Sequence, residues 1–290
     1  MTSNDAPGPT CSSHADEPDA PGTGYAVWVE HFKANRATQL AMEREVDWSA
    51  PCEVPPATRA ALVRSFQRFE LGEDGDGARL LEKARRAGDP EYVEALQRLV
   101  VEEQRHSALF RRGLEHLGAP RLDEHWSDAV FTRLRRLLGL RTELALFLVA
   151  ESVAMDYFTA LATHAPDPVL RGIGRRVASD EVHHLRFQTD RLRQGFVGVP
   201  RLVRVVVGAA WTVVAAGAAT VVVVDHGGAL RACGLRPGRV WLDGTRRFVA
   251  QARLVLRDPE AGMLGPAPAD AVAAATGDDR ASTVHMSRRV

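Results

Sequence analysis

The sequence predicts an all-α protein whose core is a four-helix bundle, built from two helical hairpins joined by a crossover and extended by N- and C-terminal helices. Apolar residues recur at helical spacing from about residue 25 to residue 260, and no segment alternates convincingly as a strand. Asp89-Pro90 and Asp167-Pro168 each supply a helix N-cap followed by proline at the first helical position. The links within each pair of helices are short, and a connection of about 20 residues between the pairs allows a crossover.

Helix boundaries follow from glycine and proline positions. Prolines after residue 50 end the opening helix, and Thr58 is predicted to cap the next one, whose middle is weakened by Gly72, Gly75 and Gly77. In chain order, the predicted helices cover residues 25–45, 58–81, 89–118, 128–138, 142–163, 167–195 and 202–225.

Composition bounds the domain organisation and the compartment. Residues 1–24 and 261–290 are predicted to be disordered tails, which leaves 25–260 as one helical domain. The chain has 37 basic and 37 acidic residues, so its bulk charge gives no reason to expect nucleic-acid binding. Three scattered cysteines form no disulfide framework, and we therefore expect a cytoplasmic protein.

Two E-x-x-H motifs carry the candidate chemistry. Glu103 precedes His106 by three residues in one long predicted helix, and Glu181 precedes His184 by three in another. This spacing places the carboxylate and the imidazole of each pair on the same helix face. The pattern is weak evidence when it occurs once, but two copies in corresponding helices predict a shared site.

A lone glutamate lies 30 residues before each motif. Glu73 precedes Glu103 and Glu151 precedes Glu181, an interval that suits a chain that climbs one helix and returns to the same level on its antiparallel neighbour. Glu151 also interrupts a long apolar run and needs a partner. Glu70 lies one turn before Glu73 and is the alternative ligand on that helix.

Converging carboxylates favour metal ions over a salt-bridge network. Four buried carboxylates would repel one another, whereas two divalent cations would balance their charge. Carboxylate and imidazole ligands suit iron or manganese. The acids that precede each motif, Glu102 and Asp180, are expected to accept the free N–H of the histidine on the opposite helix. Arg105 and His183 are expected to surround the ligands, although His183 could compete with His184.

These residues resemble the di-iron carboxylate proteins of the ferritin-like superfamily. The resemblance rests on a lone Glu, a Glu-Glu-x-Arg-His run, a second lone Glu and an Asp-Glu-x-His-His run, and it covers about residues 58–195. It implies a ferritin-like bundle that binds two iron ions, with manganese as the alternative at either position. It further implies that Glu103 and Glu181 bridge the ions and that Glu73 and Glu151 bind at the ends, with one histidine for each ion.

Within that superfamily the chain is distantly similar to p-aminobenzoate N-oxygenases and acyl carrier protein desaturases. Radical-generating ribonucleotide reductase subunits carry tyrosine where this chain has Phe110, and N-oxygenases carry an additional histidine where it has Val177. The resemblance implies an enzyme that uses O2 and an external electron donor to hydroxylate, N-oxygenate or desaturate a small or carrier-tethered substrate. The alternatives are a ferroxidase or peroxide scavenger without an organic substrate, and a metal-free scaffold.

Residues 205–224 form a 20-residue stretch without a charged side chain, which is long enough to cross a membrane. The stretch contains neither leucine nor isoleucine, so its insertion would be marginal. We interpret it as a fully buried helix, packed on the bundle or across a homodimer, with membrane association as the alternative. On that interpretation Val224→Arg would destabilise the fold.

Overall fold

The computed structural model describes residues 24–126, 133 and 139–277, and all regular secondary structure within them is helical, which confirms the all-α prediction. The helices are α1 Ala26–Arg44, α2 Pro56–Glu73, α3 Ala78–Arg86, α4 Pro90–His116, α5 Leu140–His164, α6 Pro168–Gly195, α7 Arg201–Ala232, α8 Pro237–Arg257 and α9 Ala269–Thr276.

The helices form a bundle that contains two antiparallel pairs. α2 packs on α4 with opposite direction, since Arg59 near the start of α2 donates from Nε to the carbonyl oxygen of Leu117 just beyond α4 at 2.5 Å. α5 packs on α6, and Gly195 at the end of α6 lies beside Arg141 at the start of α5. α4 and α6 also contact each other, so the two pairs meet along the helices that carry the E-x-x-H motifs.

Helix starts at the two Asp-Pro pairs are confirmed. Asp89 caps α4 by accepting from the backbone N–H of Tyr92 at 2.9 Å. Asp167 caps α6 by accepting from Val169 and Leu170. Each following proline occupies the first turn, where its missing N–H leaves no hydrogen bond unmade.

The predicted helix 58–81 is two helices in the structure. α2 begins at Pro56 and not at Thr58, and it ends at Glu73 before the glycine-rich turn. Gly77 adopts a left-handed φ of 63°, and a side chain there would meet the Val100 side chain at 2.7 Å. Because an L side chain is strained in this conformation, glycine suits this position, which is the N-cap of α3.

Some predicted segments fall on residues outside the described ranges. The helix predicted at 128–138 and most of the predicted N-terminal tail are among these. The tail predicted from residue 261 differs from the structure, because α9 lies within it and packs against α5 and α6. The short apolar run Ala271–Ala275 explains this helix, since it supplies a small face that α6 can bury.

The helix α7 corrects the prediction of a fully buried segment. Of its 32 residues, six are buried: Ala215, Ala219, His226, Gly227, Ala229 and Leu230. Several valines on its outer side are more than 40% exposed, including Val213 at 74% and Val224 at 73%. By length and composition alone, α5 and α7 could each cross a membrane, but most of α5 is buried in the core. The absence of charge along α7 therefore does not mean that the bundle covers it.

The exposure of Val224 reverses the expected effect of its substitution. Val224→Arg adds a charge to an exposed helix position, so we expect the free energy of unfolding to change by less than about 0.5 kcal/mol. Denaturant unfolding of the variant and the wild type measures this change. A loss of about 2 kcal/mol or more would restore the interpretation of α7 as a buried helix.

Candidate metal centre

Two helices bring the E-x-x-H residues together in the bundle interior. Glu103 and His106 come from α4, and Glu181 and His184 come from α6. One ligand atom from each of these four side chains lies within 4.8 Å of the others. Both imidazoles are fully buried, and the Glu181 side chain is 1% exposed. The antiparallel contact between α4 and α6 thus converts two local motifs into one cluster.

The Nδ1 atoms of both histidines face the carboxylates of the cluster. His184 Nδ1 lies 2.9 Å from Glu103 Oε1 and 3.8 Å from Glu181 Oε2. His106 Nδ1 lies 3.3 Å from Glu103 Oε2 and 3.4 Å from Glu181 Oε1. Each of the two carboxylates therefore reaches both imidazoles, with one oxygen towards each, as a pair of bridging ligands would.

The Nε2 atoms point outward to the two acids that precede the motifs. His106 Nε2 donates to Asp180 Oδ2 at 2.9 Å, and His184 Nε2 donates to Glu102 Oε2 at 2.9 Å. Each histidine thus bonds the acid of the opposite helix, which is the arrangement expected from the sequence. These bonds hold a hydrogen on Nε2. Nδ1 is therefore the ring nitrogen that faces the cluster and is able to bind a metal ion.

Helix α1 anchors the two outer carboxylates. Asn35 Nδ2 donates to Glu102 Oε1 at 3.1 Å and to Asp180 Oδ1 at 3.0 Å, and Gln39 Nε2 donates to both residues. Arg176, which is 1% exposed, forms an ion pair with Asp180. These contacts hold each carboxylate in place and offset part of its buried charge.

Sequence reasoning missed this contribution of α1. The available signal was one helix face on which Trp28 and Phe32 are followed at helical spacing by Asn35 and Gln39. Two amides that continue an apolar face need buried polar partners. Their partners lie 63 to 145 residues away along the chain, so the face indicates that partners exist without identifying them.

Glu73 interacts with Glu103, but it is not among the four residues whose ligand atoms lie within 4.8 Å of one another. The pKa of Glu73 is raised well above its usual value by burial and by the neighbouring carboxylates Glu103 and Glu181. Glu70 is fully buried elsewhere, where its Oε1 lies 2.9 Å from Arg111 and 3.2 Å from Arg121. Those arginines satisfy the charge of Glu70, and Glu73 is left as the carboxylate that α2 offers to the cluster.

Glu151 approaches the cluster from α5. Burial raises its pKa well above the usual value, and the charges of Glu181 and Glu103 add to that rise. Gln188 donates a hydrogen bond to Glu151 Oε1, while Oε2 is buried without a hydrogen-bond partner among the described residues. All four helices of the two hairpins thus supply a carboxylate to this region.

Arg105 and His183 lie around the cluster. Arg105 donates from Nη1 to Gln39 Oε1 at 2.9 Å, so it supports the amide that holds the outer carboxylates. His183 turns away, because its ring packs on His31 with a centroid distance of 4.0 Å and its Nδ1 accepts from the backbone N–H of Ala267. Burial lowers the pKa of His183 to about 3, so it is neutral at physiological pH.

The apolar residues expected beside the ligands are all buried. Phe110, which follows His106 by one helical turn, packs its ring against Phe66 and Phe69. Val153 and Val177 are buried on α5 and α6. Phe110 and Val177 lie one helical turn from His106 and Glu181, on the same helix faces. Val153 instead packs against Gly244 of α8, on the side of α5 away from Glu151.

A second group of possible ligands has other partners. Cys52, His116 and Asp167 each offer one ligand atom within 4.8 Å of the others. Asp167 already caps α6 through Oδ1 and accepts from His116 Nε2 at 3.0 Å through Oδ2. This group connects the end of α4 to the start of α6, and its carboxylate is occupied by that role.

In the metal-free cluster, protonation of the side chains offsets the negative charge that metal ions would otherwise balance. Burial would lower the pKa of His106, but Glu103 and Glu181 outweigh burial and raise it to about 9. The same balance raises the pKa of His184 well above its usual value. Burial would raise the pKa of Glu103, but the two histidines lower it well below the usual value. His106 is therefore protonated at neutral pH, and the shifts of His184, Glu73 and Glu151 all favour the protonated form of these groups.

Metal uptake is expected to release these protons. Metal ligands must be deprotonated, and the pKa of His106 is about 9, so we expect at least one proton per chain to be released when divalent ions bind at neutral pH. Affinity should accordingly rise with pH. Calorimetric titration with Mn(II) in buffers of different ionisation enthalpy measures the number released. A release of fewer than one proton would contradict this account of the cluster.

The same pKa shifts predict a change in stability with pH. A folded pKa above the unfolded value gives stability that is complete below the unfolded pKa and is lost as pH rises through the folded pKa. We therefore expect the Tm of the metal-free protein to fall as pH rises through about 9, the pKa of His106. The metal-loaded protein should lose less over that range, because its ligands are already deprotonated.

The residues fit a metal site by their chemistry. Glu181 Oε2 and Glu151 Oε2 are buried without a hydrogen-bond partner in the described part of the chain, and the Nδ1 atoms of His106 and His184 lie within ion-pair distance of the cluster carboxylates. Leaving such an atom unsatisfied costs about 1–3 kcal/mol. Bound cations would satisfy these atoms, because the donor set consists of carboxylate oxygens and imidazole nitrogens.

Comparison with protein families, with curated proteins and with solved structures finds no match for this chain. The functional inference therefore depends on the residues themselves. Their ligand types, their burial and their contacts with α1 indicate a buried cluster that is able to hold metal ions.

Proposed function

We propose that this chain is a ferritin-like di-iron carboxylate enzyme that uses O2 to oxidise an organic substrate. The observation that supports the proposal best is the convergence of two imidazole Nδ1 atoms on Glu103 and Glu181, while both Nε2 atoms are held by buried carboxylates. One ligand atom from each of Glu103, His106, Glu181 and His184 lies within 4.8 Å of the others, and this set of carboxylate and imidazole ligands suits iron or manganese. The proposal covers three reaction outcomes: hydroxylation, N-oxygenation and desaturation of the substrate.

The chain supplies ligands and a controlled environment. Glu103 and Glu181 would bridge two iron ions, with Glu73 and His106 at one ion and Glu151 and His184 at the other. Manganese could replace iron at either position, since both metals accept this donor set. When bound, the metal pair supplies the electrons for O2 activation, and an external donor must reduce it again.

The surrounding residues hold the ligands and exclude water. Asp180 and Glu102 keep a hydrogen on His106 Nε2 and His184 Nε2, which leaves each Nδ1 aimed at the cluster. Asn35 and Gln39 prevent those two carboxylates from turning inward. The buried residues Phe110, Met155 and Val177 would exclude bulk water on the apolar side, where a small or carrier-tethered substrate would be oxidised.

O2 consumption tests the proposal. The full chain is loaded anaerobically with Fe(II), freed of excess metal and mixed with O2. We expect consumption to stop after a single turnover, because no donor re-reduces the site, and to resume when dithionite is added and removed. The variant Glu181→Gln should consume little O2. The matched control Glu70→Gln changes a carboxylate of α2 that is paired outside the cluster, and it should consume as much O2 as the wild type.

Two further measurements distinguish the alternative functions from the proposed one. Sustained consumption of O2 with excess Fe(II) and no organic substrate would favour a ferroxidase or peroxide scavenger. A chain that retains no iron or manganese after purification with either metal would favour a scaffold. Either result would overturn the proposed oxygenase.

A further inference from the structure

The outer face of α7 is apolar along most of its length. Leu202 is 76% exposed, Val206 61%, Val213 74% and Val224 73%. These residues recur at helical spacing, together with the exposed positions Ala209, Gly217 and Thr220. We call the seven residues the α7 stripe. Water would contact this stripe over about three heptads, which is unusual for a soluble helix.

The inner face of α7 fixes the helix against the bundle. Trp211 packs its ring edge-to-face on Phe196 at 5.5 Å and on Phe248 at 6.4 Å. Further along, Gly228 closely approaches Ala61 of α2. Since both regions are attached, α7 lies along the bundle and its outer face is exposed.

An arginine row lies on the neighbouring helix α8, which packs along α7. Arg239, Arg246, Arg253 and Arg257 are exposed and recur at about helical spacing, with the exposed Leu242 between the first two. Residues 201–257 contain nine arginines and two aspartates, which gives 9 − 2 = +7, while the whole chain is neutral at 37 against 37. The positive charge of this chain is thus concentrated beside the α7 stripe.

We propose that the face formed by the α7 stripe and the arginine row docks on an anionic lipid bilayer. The stripe would enter the headgroup region of one leaflet, and the arginines would contact lipid phosphates. Apolar residues beside a row of cations are the features by which a helix binds in the membrane interface. This proposal uses no residue of the metal cluster and does not depend on the proposed oxidation.

Charge decides between a bilayer and a second copy of the chain. Asp243 pairs with Arg239 and Arg246, but residues 201–257 still carry a net charge of 9 − 2 = +7. A two-fold dimer through the α7 stripe would bury the valines, but it would bring two surfaces of this positive charge together. An anionic bilayer satisfies the stripe and the row together. Because α7 packs along the bundle, α7 and α8 lie side by side, which suits binding to a planar surface.

Co-sedimentation with vesicles tests the proposal on the full chain. One set of vesicles is phosphatidylcholine alone, and the other contains about 30% phosphatidylglycerol, an anionic lipid that attracts arginines near the bilayer surface. We expect binding to the anionic vesicles at least tenfold tighter, with a loss at high salt. Equal binding to both sets, or no binding to either, would overturn the proposal.

Two variants and a matched control locate the surface. Val213→Asp places a charge in the α7 stripe, and the double variant Arg246→Glu, Arg253→Glu reverses two charges of the arginine row; each should weaken vesicle binding at least tenfold. The control Arg79→Glu, Arg85→Glu makes the same change of net charge on exposed positions of α3 and should retain binding. Circular dichroism confirms that all variants fold. Control and row variants that weaken binding equally would overturn the location.

Light scattering without vesicles tests the rival occupant. We expect a monomer that Val213→Asp does not change. A stable dimer that Val213→Asp dissociates, in a protein that ignores anionic vesicles, would assign the α7 stripe to a second copy and overturn the proposal.

Discussion

Glu181→Ala is expected to lower bound iron or manganese from about two ions per chain to fewer than about one, because the variant removes a carboxylate that reaches both histidines. Its removal also leaves His106 and His184 of the metal-free protein with less negative charge beside them. Elemental analysis after anaerobic loading and desalting measures the metal content.

Glu70→Ala is the matched control for this substitution. Glu70 is as deeply buried as Glu181, but it is paired with Arg111 and Arg121 outside the cluster. We expect that variant to lose stability, since it removes a buried side chain, and still to bind about two ions per chain. Arg111 and Arg121 are partly exposed and keep Asp74 as an anionic neighbour. Equal metal contents in the two variants would show that the cluster is not the metal site.

Gly174→Ala is expected to destabilise the fold by about 2–3 kcal/mol, because α5 and α6 approach too closely there for a side chain. A Cβ atom at Gly174 would lie 2.4 Å from the backbone nitrogen of Ala162 and 2.7 Å from the carbonyl carbon of Leu161. Backbone atoms cannot rotate away, so the two helices would have to separate. Because α6 carries Glu181 and His184, the separation should also weaken metal binding.

Gly217→Ala makes the same chemical change without the clash. Gly217 is exposed on α7, and a Cβ atom there would meet nothing within 4 Å. Alanine is the better helix former by about 1 kcal/mol, so this variant should be as stable as the wild type or slightly more stable. Urea unfolding of both variants measures the difference. A Gly174→Ala variant no less stable than Gly217→Ala would refute the close approach.

The local signals of the sequence predicted most helices well. Proline and aspartate at Asp89-Pro90 and Asp167-Pro168 act on the backbone next to them, so their effect is readable without a structure. The E-x-x-H spacing is equally local, because three residues along a helix always place two side chains on one face. From the sequence, Gly77 was identified only as a residue that weakens the predicted helix. Its positive φ and its contact with Val100 depend on how α4 packs.

The choice between Glu70 and Glu73 needed tertiary contacts. Both residues lie on α2 one turn apart, and either spacing is compatible with an inward-facing carboxylate. Arg111 and Arg121 decide the choice by pairing with Glu70. Neither arginine stands at a distinctive spacing from Glu70 in the sequence, so the preference for Glu73 depended on its 30-residue interval before Glu103.

The error at α7 has a general physical cause. A run of valine, alanine and glycine without charges is equally compatible with a buried helix, a helix pair and a helix at a lipid surface, because hydropathy measures transfer from water and not the identity of the new surroundings. The structure places one face of α7 on the bundle and leaves Val213 and Val224 exposed. Only the arrangement of α7 beside the arginines of α8 indicates a surface to dock there.

The sequence by itself determined the helical class, the starts of α4 and α6, and the pairing of a carboxylate with an imidazole in each motif, because these depend on residues within about one helical turn of one another. The tertiary structure alone decided that Asn35 and Gln39 hold the outer carboxylates, that Glu70 is paired elsewhere, and that α7 is half exposed. Such contacts join residues tens of positions apart, and their free energy depends on which helix faces meet.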